Sequence, residues 1–419
     1  METSHNNVIS ISENPSDMLT KLLREGAQRM LAGAIEAEVN DYLKAVNKDD
    51  TLVVRNGKAP ARKIMSGLGP IEVSRQKLRV KPHAEVASFT SKVLPPFLRK
   101  SKSLEELIPW LYLKGISSKD MESALEPLLG HHLKGFSAAT VTALTKQWSQ
   151  DFDEWNSSPI HDRIIYMWAD GVYFNIRLGE DQKMCILVII GATASGQKKI
   201  LGIEAGYRES KISWMSLLQR LVDRGLVAQP ELAVGDGAMG FWSALDEIFP
   251  KTKQQRCWVH RTANVLNELP KTKQPEAKAM IHDIYRAESR KEAEKAFTRF
   301  TKSFEAKYSS AVEKLIKTKD STMQFYDFPA EHWSHIRSTN PIESMFATVR
   351  LRTRKTKGCG SRKATLAMVF QLVCCAQKRW RGLNGSDLMA DIVDARFRFK
   401  DGVKEAVGDA DLLTSNTNF

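Results

Sequence analysis

Apolar positions recur in blocks whose spacing changes along the chain. Between Met18 and Lys44, Leu19, Leu22, Leu23, Met30, Ile35 and Val39 return at three- and four-residue steps. That spacing predicts an amphipathic helix whose apolar face packs on its own domain or on a second copy of the chain. From Arg55 to Lys81 the period shortens, and Asn56-Gly57, Gly67 and Gly69-Pro70 separate runs such as Ile71-Glu-Val-Ser-Arg75, the pattern of short strands joined by turns. Helical spacing resumes between Ser103 and Phe152. It predicts a capping box over Ser103 to Glu106 and helices over Ile108 to Leu113, Ser118 to Leu129 and Ser137 to Trp148, punctuated by Gly115 and by Gly130 to Gly135. Three short helices in a row are compatible with a helix-turn-helix reader, an analogy that many unrelated three-helix modules share.

A second pattern begins near Ile160. Arg163 to Leu178, Met184 to Ala192 and Lys198 to Ala205 predict three strands in a meander, with turns at Gly179 to Gln182 and Ser195 to Gln197. A helix (Ser210 to Arg224), an apolar strand (Glu231 to Gly235), a helix (Ala238 to Ile248) and a strand (Gln254 to Val259) follow. Three antiparallel strands and then alternating strand and helix make a mixed α/β sheet in the order of an RNase H-like core. Arg261 to about Trp333 is helical and charged with no strand signal, which predicts an all-α insertion before the core resumes in a final helix. The expected organisation is therefore an N-terminal helical segment suited to dimerisation (1–50), a basic β-rich element (51–100), a helix-turn-helix-like region (101–155), the first part of the core (160–260), the helical insertion (261–335), the last core helix with a basic segment (336–385) and a C-terminal tail (386–419).

Composition narrows the partners. The chain of 419 residues is 42% hydrophobic, enough for more than one buried core, and carries a net charge of +13. The charge is clustered. Arg55 to Lys81 holds eight basic residues against one acid, Glu72, and Ser344 to Ser386 holds ten Lys or Arg and no acid. Such clusters favour a polyanion, nucleic acid before a membrane surface, although a solvated hairpin face explains the first cluster equally well. The longest apolar run, Cys185 to Ala194, is well short of the ~18 residues of a spanning helix, and Met1 to Asp17 is polar without a signal core. An intracellular, cytoplasmic protein is expected, and the five cysteines, an odd number without regular spacing, are expected to be reduced thiols.

Three acids stand at informative places. A continuous strand would set Asp170 on an apolar face with Tyr166, Trp168, Val172 and Phe174, where a carboxylate is costly unless paired or bound to a metal; Asp170-Gly171 is equally a signal for a hairpin turn. Asp236 follows Leu232-Ala-Val-Gly235 at the carboxyl end of a strand, where ligands of α/β sheets bind, and also reads as a helix N-cap. Glu343 opens the basic stretch from Ile336 to Lys357, and Asn340-Pro341-Ile-Glu343 also reads as a capped helix start. Singly, each acid has a structural explanation. Together, two aspartates from neighbouring strands and a glutamate from a later helix supply hard oxygen ligands for Mg²⁺ or Mn²⁺, with positions left for water and phosphate. Arg350 lies seven residues beyond Glu343, almost two helical turns, and so projects from the same face. With Arg337, Arg352, Arg354, Lys355 and Lys357 it forms the expected DNA-binding set. Cys257-Trp-Val-His260 is half of a zinc site without a second pair at zinc-finger spacing, so Cys257, Trp258 and His260 are assigned structural roles. Trp258 is expected in the core, with stacking on a flipped base as the alternative.

At these residues the chain resembles the DDE transposases of the bacterial Mutator-like insertion-sequence family. The matching stretches are Asp170-Gly-Val-Tyr173, Gly235-Asp-Gly-Ala-Met-Gly-Phe-Trp-Ser-Ala-Leu245, Gln255-Arg-Cys-Trp-Val-His-Arg-Thr-Ala-Asn-Val-Leu266, and Glu331-His-Trp333 through Ser338-Thr-Asn-Pro-Ile-Glu-Ser344, in the family's order. The resemblance implies that Asp170, Asp236 and Glu343 are the metal-binding catalytic triad, that Arg350 is the basic residue after the third acid, and that Cys257 and His260 are the family's C/H pair. It further implies binding to double-stranded DNA at terminal inverted repeats and at a target, 3′-hydroxyl strand transfer, action as a homodimer or higher homo-oligomer, and association with the nucleoid. A nuclease with the same core, or a DNA-binding descendant without activity, are the competing readings.

Overall fold

The structure is a computed structural model and describes residues 15–48, 51–82, 86, 88–96, 98–114, 116, 120, 124–125, 138–175, 183–206, 208–237, 239–355 and 361–407. The chain divides into two compact units, Met1–Leu144 and Thr145–Phe419.

The first unit is built from α1 (Pro15–Val46), β1 (Val53–Lys58), β2 (Arg62–Ser66), β3 (Gly69–Val73), β4 (Gln76–Val80) and α2 (Lys102–Leu113). β1 pairs antiparallel with β4, and β2 with β3. Only part of the predicted apolar stripe on α1 is used. Ile35 joins Ile64, Ile71, Val73 and Leu94 in a core cluster and Val39 is buried, whereas Leu19, Leu22, Leu23 and Met30 are exposed. The short hairpin β2–β3 is the reason, since its apolar face packs on the middle of the helix, from Ala27 to Ile35, and leaves the first two turns uncovered. At its turn Gly69 has φ +94°, and a Cβ there would lie 2.7 Å from the Arg24 guanidinium, whose Nε donates to the Leu68 carbonyl at 2.8 Å. α2 does not begin at the predicted capping box: its N-cap is Ser101, whose side chain makes no capping bond, because backbone bonding of Ser101 to Met65 draws the chain into the helix two residues early. Most of the helix expected over Ser118 to Leu129 lies outside the described residues, and the helix-turn-helix assignment with it. Two bases of the β-rich element are engaged within the unit. Arg55 pairs with Glu36 at 2.6 Å and Arg62 donates to the Pro95 carbonyl at 3.1 Å, while Lys58, Lys63, Lys77, Arg79 and Lys81 are exposed. α3 (Ala138–Ser157) is one helix of 20 residues that runs beyond its predicted end.

The second unit is mixed α/β. Its five-stranded sheet has the order β7-β6-β5-β8-β9, formed by β5 (Ile164–Asn175), β6 (Lys183–Thr193), β7 (Lys198–Gly206), β8 (Leu232–Gly235) and β9 (Lys253–Arg256). β5, β6 and β7 are antiparallel, and β8 and β9 run parallel to β5. One face, with Met167, Ala169, Leu187 and Ile189, packs against Trp214, Leu217 and Leu218 of α4 (Lys211–Asp223) and Phe241 of α5 (Met239–Ile248). The opposite face, with Tyr166, Trp168 and Phe174, meets α10 (Asn340–Lys355), where Phe174 lies 6.2 Å from Phe346 between ring centroids. Burial on both faces explains why these strands read as continuous apolar runs, each fully buried Ile, Leu or Phe contributing about 1.5–3 kcal/mol. Ser210, where the helix was expected to begin, is the N-cap of α4, its side chain accepting from Ser213 N.

Three elements differ from their sequence-based expectation. The last sheet strand stops at Arg256, because Cys257 turns the chain into α6 (Trp258–Leu266), so the Cys-x-x-His segment opens a helix. From there to α10 the described elements are all helical, including α7 (Gln274–Tyr285), α8 (Arg290–Phe304) and α9 (Ser309–Ile316). The final core helix is a pair, α10 and α11 (Arg362–Gln377), and the expected tail folds into the hairpin β10 (Phe397–Lys400) and β11 (Val403–Ala406). That hairpin is tied down by Gly402 N donating to Tyr326 O at 3.1 Å and Ala330 N to Gly402 O at 3.2 Å. No helix among the described residues is long and apolar enough to cross a membrane.

Two histidines bind the segment before α10 to the sheet and to the C-terminal turns. Tyr166 Oη bonds His332 Nδ1 at 2.7 Å and His332 Nε2 bonds Gly385 O at 2.9 Å, an arrangement that suits a neutral ring donating through Nε2. Burial lowers the His332 pKa, and burial, with Lys198 nearby, lowers that of His335 to about 4. For a histidine whose folded pKa lies below the unfolded ~6.5, the unfolded chain takes the proton first. Its stabilising contribution is therefore complete above about pH 6.5 and is lost as pH falls towards 4. Thermal melts at about pH 7 and pH 5 should show a smaller acid-induced drop for His335→Gln than for the native chain.

Candidate active site

Strand register places the first two acids. Ala169 pairs with Gly235 in the parallel β5–β8 ladder, so Asp170 and Asp236 are the next residues along strands about 4.8 Å apart. β5 passes through Asp170 without a break, opposite Val188 of β6, which removes the hairpin alternative for Asp170-Gly171. β8 ends at Gly235, and Asp236 turns the chain towards α5: its carboxylate accepts from Gly237 N, and its carbonyl accepts from Trp242 Nε1 at 2.8 Å.

The third acid arrives on α10 from the face that Asp170 shares with Trp168 and Phe174. The helix cap is Thr339 and not Asn340, since the Thr339 carbonyl accepts from Ile342 N at 2.9 Å and Glu343 N at 3.1 Å. The predicted capping box is displaced because the Thr339 hydroxyl is engaged elsewhere. Thr339 N and Oγ1 both donate to Cys257 Sγ at 3.3 Å, while Cys257 N donates to Gly235 O at 2.8 Å. Cys257 thus joins the end of β8, beside Asp236, to the start of the helix that carries Glu343. His260, one turn along α6, lies between the acids: Nδ1 is 3.9 Å from Asp236 Oδ1 and Nε2 is 3.7 Å from Glu343 Oε1.

Electrostatics reflect this crowding. Burial pushes the Asp170 carboxyl up to about 6; His260 and the Gly171 N–H oppose the shift, and Glu209 and Asp236 add to it. His260 is raised to about 9 by the Cys257 sulfur beside its ring, with Asp236 and Asp170 adding and burial opposing. An imidazolium at neutral pH therefore faces the acids. Glu209, which no local pattern singled out because Ser210 accounts for the helix start, is raised by burial and by Asp236. The only trace of it in the sequence is a pair of glycines, Gly171 and Gly240, whose missing side chains leave it room. The donor atoms of Cys257, His260 and Glu343 lie within 4.8 Å of one another, close enough to surround a cation, although the Cys257 sulfur already accepts two hydrogen bonds.

The remaining predicted residues divide. Arg350 is exposed on α10, two turns beyond Glu343 on the same continuous helix. Arg352, Arg354 and Lys355 continue that helix with side chains outside the described set, and Lys357 is outside it altogether. Arg337 turns inward, contrary to its assignment as a DNA contact: it donates to Tyr285 O at 3.1 Å and stacks on the Tyr285 ring at 5.2 Å, and burial lowers its pKa. Trp258 is a core residue, 1% exposed, with Nε1 donating to Thr322 O at 2.7 Å, which removes the base-stacking alternative. Trp258→Ala should cost about 3–5 kcal/mol in denaturant unfolding. Trp258→Phe should cost less, because Gln255 Nε2 still donates to the Thr322 carbonyl at 2.9 Å.

Likeness to known proteins extends over most of the chain. The family model described as Transposase, Mutator family matches residues 2–382. The transposase for insertion sequence element IS6120 of Mycolicibacterium smegmatis is 48% identical over 288 residues, 68% of this chain and 88% of that protein. The transposase for element IST2 of Acidithiobacillus ferrooxidans is 47% identical over 283 residues, covering 68% and 95%. The transposase for IS905 of Lactococcus lactis is 31% identical over 274 residues, covering 65% and 69%.

Proposed function

Because the chain belongs to the Mutator family of transposases, we propose that it is a metal-dependent DNA transposase whose Asp170, Asp236 and Glu343 form the catalytic site of an RNase H-like core. The observation that carries this reading is the convergence of Asp236 and Glu343 on His260, with Asp170 in the adjoining strand position. The sheet order, three antiparallel strands followed by two parallel ones on the far side of β5, supports the core assignment, and the helices between β9 and α10 fit an insertion within it.

The residues suit a divalent cation. Three carboxylates offer hard oxygen donors: Asp170 and Asp236 follow paired residues of adjacent strands, and Asp236 and Glu343 lie 3.9 and 3.7 Å from the two nitrogens of one imidazole. Asp170, Asp236 and Glu343 would hold Mg²⁺ or Mn²⁺. When bound, such ions polarise a phosphoryl oxygen and lower the pKa of water. The chain's own part is to fix the acids. β5 and β8 set Asp170 beside Asp236, and the Cys257–Thr339 contact sets the start of the helix that carries Glu343. His260 adds positive charge where a phosphodiester's negative charge would rest. Arg350, further along α10, is placed to take a flanking phosphate. Water first displaces a 3′-oxygen from phosphorus and leaves a free 3′-hydroxyl; that hydroxyl then displaces an oxygen at a target phosphorus. One phosphodiester is broken for each one made in the second step, so joining needs no nucleotide cofactor.

In transfer assays with labelled inverted-repeat ends, Asp170→Asn, Asp236→Asn and Glu343→Gln should each lower cleavage and joining by about 10²–10³-fold while DNA binding persists. Full activity in any of the three sinks the mechanism, and cutting without joining by the native chain would support the nuclease reading instead. The exposed bases of the β-rich element, Lys58, Lys63, Lys77, Arg79 and Lys81, are assigned to the DNA backbone. Substituting Lys77 and Arg79 by alanine should make the dependence of log affinity on log salt shallower by about 0.9 for each phosphate that is no longer neutralised.

A further inference from the structure

We propose that Glu209 is a fourth carboxylate of this centre and shares in binding the divalent cation. The inference deepens the three-acid reading and rests on it.

Glu209 stands just before α4, against the stretch of β5 that runs on past the end of β8. Its carboxyl lies against the bare backbone of Gly171: a Cβ at Gly171 would fall 2.4 Å from Glu209 Cδ and 2.6 Å from Oε1. Its main chain is held by the second motif glycine. A Cβ at Gly240 would fall 2.4 Å from the Glu209 carbonyl oxygen and 2.8 Å from Lys211 N. A Cβ at either position would force a shift, of the Glu209 side chain at Gly171 and of backbone at Gly240, so the glycine after Asp170 and the glycine four residues after Asp236 leave the room that Glu209 occupies. Sequence alone gives these glycines no purpose, since β5 runs straight through Gly171 and α5 needs no glycine in its first turn. The carboxyl is thus set against the residue that follows Asp170, and the charges of Asp236 and His260 bear on it. Three anions gathered this way, with Glu343 beyond, repel one another in the folded chain unless a cation joins them. Gln or Ser in place of Glu209 would fill the same room without that penalty. A carboxylate there is accounted for by what it binds.

Mn²⁺ titration of the full-length chain, read by electron paramagnetic resonance of the free aqueous ion, tests the assignment without relying on activity. Glu209→Gln should weaken Mn²⁺ binding by about tenfold or more, with a metal-free melting temperature equal to or above that of the native chain because a like charge has gone. Glu209→Asp keeps the charge but shortens the reach by one methylene, and should also bind Mn²⁺ more weakly. Gly171→Ala, whose methyl displaces the carboxyl, should reproduce the loss. Native Mn²⁺ affinity in folded Glu209→Gln or Glu209→Asp overturns the proposal. Asp170→Asn serves as the reference. If it abolishes Mn²⁺ binding while both Glu209 variants bind normally, only the fourth carboxylate is wrong; if it too binds normally, the three-acid centre fails and this inference falls with it.

Discussion

The parallel pairing of β5 with β8 is the constraint on which the rest of the second unit depends. It sets Ala169 against Gly235, and so places Asp170 beside Asp236. A slip of one residue would turn Asp170 to the other face of the sheet, away from α10, and would expose one of two apolar faces that are buried in the fold. Register is therefore secured by the core, through Met167, Ala169, Leu187 and Trp214 on one side and Tyr166, Trp168 and Phe174 on the other. Two like charges held at the spacing of adjacent strands, about 5 Å, would repel by on the order of 3 kcal/mol in an environment of intermediate dielectric. That is a sizeable part of the roughly 5–15 kcal/mol net stability of an ordinary domain. The apolar sandwich absorbs the cost, and a bound cation would relieve it.

Cys257 carries the next link. Its backbone N–H bonds the end of β8 and its sulfur accepts both donors of Thr339 at the start of α10, so a small buried side chain couples strand to helix. A local motif search sees half a zinc site in this cysteine. In the fold it is a fastener between two elements that are 82 residues apart in sequence. His260, one helical turn on, takes the space between the acids on those elements, and its positive charge balances part of theirs. The segment before α10 is clamped separately by His332, which joins Tyr166 of the central strand to Gly385, and by His335, whose carbonyl accepts from Trp168 Nε1 and whose ring accepts from Asn384 N. Glu343 is thus fixed from both sides of its helix start.

The basic character is distributed by structure in a way that counting residues does not reveal. Arg55, Arg62 and Arg337 sit inside basic stretches, yet their guanidinium groups are spent on Glu36, the Pro95 carbonyl, and Tyr285. Lys58, Lys63, Lys77 and Arg79 are exposed. A guanidinium has five donors in a rigid fork and satisfies carbonyls and rings readily, whereas an ammonium on a flexible stem stays hydrated. The division between bases engaged in the fold and exposed ones follows that difference, with Arg79 as the exception.

By itself the sequence determined the order of elements in the second unit, because burial on both faces leaves continuous apolar strands and the helices between them keep amphipathic spacing. It also marked Asp170, Asp236 and Glu343, since an acid in an apolar strand, an acid at a strand end and an acid before a run of bases are each unusual locally. What it left open was settled by contacts between distant residues. Whether Asp170-Gly171 turned or continued depended on pairing with Val188; which residue capped α10 depended on the Cys257 sulfur; and which apolar residues of α1 were buried depended on how far a short hairpin reaches. Glu209 was invisible locally, because its neighbourhood is created by glycines 38 residues before it and 31 after it. Periodicity reports what one element needs to bury. Only the packed chain decides which side chains meet there.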